Sequence, residues 1–108
     1  MIAFSENEKK GDGVIVSMIQ FRILLPPLES IKDKRHIVSS LKEKLANKFH
    51  MSVAEVDLQD SFVYAQIGAA YVSNSRAFGE AVMHKALRFV EENCEGVLED
   101  AQVFSEAY

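Results

Sequence analysis

The spacing of apolar positions changes along this chain, and each change marks an element. In VIVSMIQFRILL (14–25), Ile15, Ile19, Phe21, Ile23 and Leu25 share one side of a two-residue alternation, with Met18, Gln20 and Arg22 on the other. That period predicts a half-buried strand. The following PPLE stops it, because proline brings no ladder donor. Beyond it Ile31, Val38, Leu41, Leu45 and Phe49 recur at helical spacing, behind a Ser30/Asp33 capping-box pair. The spacing predicts a helix over 31–49. SVAEVDL (52–58) reads as a short strand, QDS as a turn, and FVYAQIGAAYV (62–72) as a second long strand with small residues in its middle. SNS then offers caps, Ser73 and Asn74 first among them, for a helix over 75–93. On that helix Phe78, Val82, Ala86 and Phe89 share a face, with Met83, Leu87 and Val90 beside it. Gly96 suits a helix stop, and VLEDAQVFSEAY closes the chain as an acidic, edge-like strand.

The predicted order, β-α-β-β-α-β, is that of ferredoxin-like α+β domains. It implies an antiparallel sheet in the order 4-1-3-2 with both helices on one face. Residues 1–12 are polar and of mixed charge, and are expected to form a flexible extension ahead of a single domain over 13–108.

Composition adds bounds. A chain of 108 residues, 48% hydrophobic and 26% charged, fits one globular domain. Its net charge of −4 argues against indiscriminate coating of nucleic acid, and no signal specific for DNA is present. The charge is uneven: residues 30–50 hold six basic groups against two acids, while residues 91–108 hold six acids and no Lys or Arg. Cys94, the single cysteine, excludes an internal disulfide or a cysteine-rich zinc site. No apolar run reaches signal-peptide or membrane-span length, so the expectation is a cytoplasmic protein with no membrane partner.

Three stretches then look familiar together: Ser30-Ile31-Lys32-x-Lys34-Arg35, Ser52-Val53-Ala54-Glu55-Val56 and Val72-Ser73-Asn74. Over roughly residues 14–105 the chain resembles the YlxP-like bacterial family, domain of unknown function 503. The resemblance implies a ferredoxin-like fold in the bacterial cytoplasm, encoded among genes for translation initiation and ribosome maturation. It supplies no activity and no catalytic residues. The family's bulky aromatic near the start of the third strand corresponds to Phe62 or Tyr64, and the polar N-terminal extension departs from its pattern.

The basic helix is the first candidate for chemistry. Three cations, Lys32, Lys34 and Arg35, crowd the N-terminal turns, where the macrodipole disfavours positive charge. On a wheel with Ile31 at zero, Lys34 falls near about 300°, inside the apolar stripe, and needs a counter-charge. The topology brings Asp57, Asp60, Glu91, Glu92, Glu95 and Glu99 to that end as candidates. One reading is a charge-paired junction. The other is an anion site for RNA phosphate or a phosphorylated ligand, built from Lys32, Lys34, Arg35 and Lys42.

The open sheet face is the second candidate. Met18, Gln20, Arg22 and Leu24 turn away from the helices, joined by Tyr64, Gly68, Ala70 and Val72 if Gln66 points the same way. Strand one offers no stacking aromatic on this face and strand three only Tyr64, so the pattern of an RNA-recognition sheet is absent. Such a face suits a protein partner, most simply a second copy, through Met18, Gln20, Arg22, Tyr64 and Gln66.

Catalytic constellations are not found. His36, His50 and His84 lack metal-ligand spacing, Glu55 and Asp57 share the Val53 face with no fourth oxygen ligand, and Cys94 lies in acidic surroundings that disfavour a thiolate. The expectation is therefore a non-enzymatic protein without metal or cofactor. The first functional expectation is an accessory factor for RNA or a ribosomal subunit, using the basic helix. The alternative is a homo-oligomeric small-ligand or protein–protein adaptor module, most simply a dimer, using the sheet face.

Overall fold

Alternation in the first strand organises the whole sheet. The computed structural model describes residues 13–108, and the expected extension over 1–12 lies outside the described residues. The elements are β1 (Ile15–Leu24), α1 (Ile31–Phe49), β2 (Ser52–Asp57), β3 (Tyr64–Ser73), α2 (Arg76–Asn93) and β4 (Val97–Ala107). All strand pairs are antiparallel, and the sheet runs β2-β3-β1-β4. Both helices lie on one face, so the fold is the expected ferredoxin-like arrangement.

Odd-numbered residues of β1 build the core. Ile15, Ile19, Phe21 and Ile23 are fully buried, with Ala65, Ile67 and Ala69 of β3 beside them. The helices bring down Val38, Leu41 and Leu45 from α1, and Met83, Ala86 and Val90 from α2. Each large side chain so buried contributes about 1.5–3 kcal/mol relative to exposure.

The helix ends follow local chemistry. Ser30 Oγ accepts from the Asp33 amide at 3.2 Å, and the Asp33 carboxylate accepts from the Glu29 amide at 3.2 Å. The reciprocal bond of a capping box thus reaches one residue further back. α1 ends at His50, whose left-handed backbone (φ 55°) lets its amide bond Ala46 O.

The second helix departs from expectation in three ways. Its N-cap is Ser75, which accepts from the Phe78 amide at 3.2 Å; Ser73 instead braces the turn, bonding Ser75 O at 2.9 Å. Its buried stripe is Gly79, Met83, Ala86 and Val90, while Phe78 is 53% exposed. The stripe is rotated because Gly79, lacking a side chain, lets the helix sit directly on Ser17. Gly96 is not the stop, since the cap is Cys94 with extended backbone. At φ +120° Gly96 opens β4 instead, where a Cβ would collide with the Leu24 carbonyl oxygen.

Two bulges were invisible in the alternation. One lies in β2 between Glu55 and Asp57, the other in β4 opposite Gln20 and Arg22, where Asp100 takes φ 50°. β3 also starts two residues later than predicted. Ser61 Oγ accepts from the amides of Val63 (3.1 Å) and Tyr64 (3.0 Å), which bends Phe62 and Val63 into a turn, although Val63 O still accepts from the Leu25 amide at 2.8 Å.

Candidate interaction surface

Lys34 settles the fate of the cation in the apolar stripe. It is 1% exposed, and its ammonium sits among backbone carbonyls: Leu58 at 2.6 Å, Ser61 at 2.7 Å, Tyr64 at 3.0 Å and Gln59 at 3.3 Å. Glu55 Oε2 lies 3.1 Å away. An ammonium has three protons, and the carbonyls take them; the Glu55 oxygen makes an ionic contact without a directed hydrogen bond. The counter-charge is therefore Glu55, not the aspartates or the α2 and β4 glutamates. Glu55 stays on the Val53 face as alternation demands. Asp57 does not, because the β2 bulge carries it to the open face, where it lines a groove.

This cage fixes the loop between β2 and β3. Leu58 holds a left-handed backbone (φ 62°), unfavourable for a leucine, and its carbonyl accepts the shortest of the ammonium bonds. Lys34 is thus committed to the fold, and an anion could reach it only by displacing these carbonyls.

The other three cations proposed for an anion site do not gather around one point. Arg35 and Lys42 line a cleft with Ser39, Gln59, Glu55 and Asp60; Lys32 lines a different one with Asp33, His36 and Glu95. Among the described residues none of the three forms an ion pair. Each cleft nevertheless carries its own carboxylates, which weaken its attraction for phosphate.

The sheet face has a more definite construction. Across β1 and β3, Met18 pairs with Ala70, Gln20 with Gly68, Arg22 with Gln66, and Leu24 with Tyr64. All five residues proposed for the face (Met18, Gln20, Arg22, Tyr64 and Gln66) therefore share it. β4 adds Phe104 beside Met18 and Gln102 beside Gln20. β2 adds Ser52 and Ala54, with Val56 packed over Gly68. A groove of about 510 Å³ runs over the small residues Ala54, Gly68 and Ala70, walled by Val56, Met18 and Phe104. Sequence reasoning missed Val56, Ala54 and Phe104. For Phe104 the signal was available, since it alternates with Gln102 just as Met18 does with Gln20.

At one end of this face Arg22 is already occupied. Its guanidinium lies 4.5 Å over the Tyr64 ring and bonds Glu99 at 3.1 Å and Asp100 at 2.7 Å. The hydrogen bond to Glu99 raises its pKa still further, so it is charged at every working pH. One face of the Tyr64 ring is consequently taken by this guanidinium. Cys94, at the other side of the sheet, has its thiol pushed up chiefly by burial rather than by its acidic neighbours. Among the described residues no three His, Cys, Asp or Glu side chains cluster as metal ligands, and no helix is long and apolar enough to cross a membrane.

The β-α-β-β-α-β order, the helices on one side and a groove that no other described residue covers on the other define a ferredoxin-like module with an open sheet face among the described residues. Residues 16–103 match the family described as "Protein of unknown function (DUF503)", and the chain belongs to that family. It is also similar to "Uncharacterized protein YlxP" of Bacillus subtilis (strain 168). The two are 32% identical over 62 residues, which is 57% of this chain and 67% of that protein.

Proposed function

We propose that this protein is a non-catalytic binding module whose working surface is the open sheet face. The observation that carries the reading is the groove of about 510 Å³ over Ala54, Gly68 and Ala70, open among the described residues in the middle of a four-stranded sheet. An uncovered apolar trough rimmed by polar residues is the form of a protein-binding patch. The basic helix is the weaker candidate, because its one buried cation is held by carbonyls and its free ones are divided between clefts.

The test is a photo-crosslinking amino acid placed at Gln20 of the full chain, with Glu43 on the exposed side of α1 as control. In extract of the source cells, Gln20 is expected to yield discrete protein adducts and Glu43 none. Adducts to RNA from either position, or no adduct from Gln20, would overturn the reading.

A further inference from the structure

The open face carries its own complement, an inference that rests on reading that face as the working surface. The register of the sheet sets Ser52, Ala70, Met18 and Phe104 in one row from β2 to β4. The next row holds Ala54, Gly68, Gln20 and Gln102. In both, the β2–β3 half has the smallest side chains and the β1–β4 half has larger ones. Half of the face is thus a trough and half a ridge, with Phe104 standing 41% exposed on its crest.

We infer that the occupant of the open face is a second copy of this chain, related by a two-fold axis running along the strands between β1 and β3. That operation lays β4 and β1 of each copy over β2 and β3 of the other. Met18 and Phe104 of one then seat in the Ala54–Gly68–Ala70 trough of its mate, twice over, as an isologous interface requires. An axis running across the strands instead sets ridge on ridge and leaves the troughs empty.

Charge and area agree with this occupant. The two central rows contain no ionised side chain. In the flanking rows Arg22 is already paired with Glu99 and Asp100 within one copy, while Asp57 and Glu106 lie exposed on the outer strands β2 and β4, at the rim where a charge keeps its water. The axis sets Gln20 of one copy a single strand spacing from Gln20 of the other, so these amides, each with donors and an acceptor, pair across it, and Gln102 lies beside Gln20 within its own copy. With ten-residue central strands, the face measures roughly 33 Å by 19 Å at normal strand rise and spacing. Two such faces bury on the order of 1,200 Å², the lower bound for a specific interface.

The experiment is light scattering of the purified full chain from about 1 to 100 µM, a range suited to an interface at the small, transient end of the size classes. The mass is expected to move from one chain to two. Ala54→Arg and Phe104→Ser, both at exposed positions, are expected to weaken association at least tenfold while leaving the thermal midpoint of the dissociated chain unchanged. The axis is tested in a Cys94→Ser background with Ala54→Cys and Gln102→Cys made on separate chains, a pair that the axis sets face to face and that leaves Phe104 in place. Within one copy these sites lie three strand spacings apart, about 14 Å, beyond a short bis-maleimide of about 8 Å. Mixing the two chains should give a covalent dimer, and neither chain alone should. A single-chain mass throughout overturns the inference, and so does a covalent dimer from Gln102→Cys alone. If the chain stays monomeric while Gln20 captures a different protein in extract, the second copy is excluded and the binding-module reading stands.

Discussion

The two sides of this sheet each hold a cation ringed by oxygens, and they hold it in different ways. On the helix side Lys34 is 1% exposed, with four carbonyls and Glu55 around its ammonium. On the open side Arg22 is about one-third exposed, with Glu99, Asp100 and the Tyr64 ring around its guanidinium. Lys34 draws most of its oxygens from the backbone of the β2–β3 loop, so it ties the path of the chain to α1. Arg22 draws its own from side chains, so it neutralises and flattens one end of a surface. A charge removed from water demands complete satisfaction, whereas one still touching water needs little. The first is therefore a fastening of the fold and the second a finish on a face that meets something else.

Lys34→Met puts this difference to its hardest test. It leaves four carbonyls and the Glu55 carboxylate without their cation, and is expected to cost about 3–5 kcal/mol. Urea unfolding monitored by circular dichroism reads the loss. A cost below about 1 kcal/mol would mean that the cage is decorative. Next in size is Gly79→Ala on α2. Its new methyl would clash with Ser17 Oγ and lie 3.0 Å from Ser17 Cβ, in a spot where the helix rests on the sheet. The expected penalty is about 1–3 kcal/mol, as for other overpacked cores, and Ser17→Ala in the same chain should return part of it. Arg22→Leu comes third: its effect on the urea midpoint should be about a fifth of that of Lys34→Met or less, since exposed pairs contribute little. An effect equal to that of Lys34→Met would erase the distinction between the two cations.

The same contrast explains what was legible in the sequence. The two-residue alternation of β1 assigns Ile19 and Phe21 to one side and Met18 and Arg22 to the other, because a strand's faces depend on parity alone. Lys34 could be placed in the apolar stripe for the equivalent reason on a helix. Its partners could not be read, because most of them are backbone carbonyls, which any sequence supplies. Their positions depend on a left-handed Leu58, which no residue type marks, and on the bonds of Ser61 within a turn that QDS shows only in outline. The β2 bulge shifted parity under Asp57 and moved it to the opposite face. In α2 the eye followed Phe78, while the packing followed Gly79, since close approach is set by what a residue lacks.

Glycine also supplies the subtlest test of the two faces. Gly68 lies on the open side, where an added Cβ would come 3.0 Å from Val56 Cγ1 and meet nothing else closely. Val56 is 48% exposed on an outer strand, so its side chain can turn aside. Replacing a strand glycine also removes its entropic disadvantage, about 0.5–1 kcal/mol in favour of alanine. Gly68→Ala is therefore expected to leave the stability of the single chain within about 0.5 kcal/mol of its starting value, with the sign set by how freely Val56 moves. The urea transition, taken at a concentration too low for association, measures this. Yet the same methyl fills the floor of the trough that receives the Met18–Phe104 ridge. Light scattering should therefore show association weakened severalfold in a chain whose fold is undisturbed. Gly79→Ala should do the reverse, loosening the fold while sparing the face. If Gly68→Ala instead destabilised the isolated chain as much as Gly79→Ala does, the trough would be part of the packing. The open face would then no longer be a surface kept free for a partner.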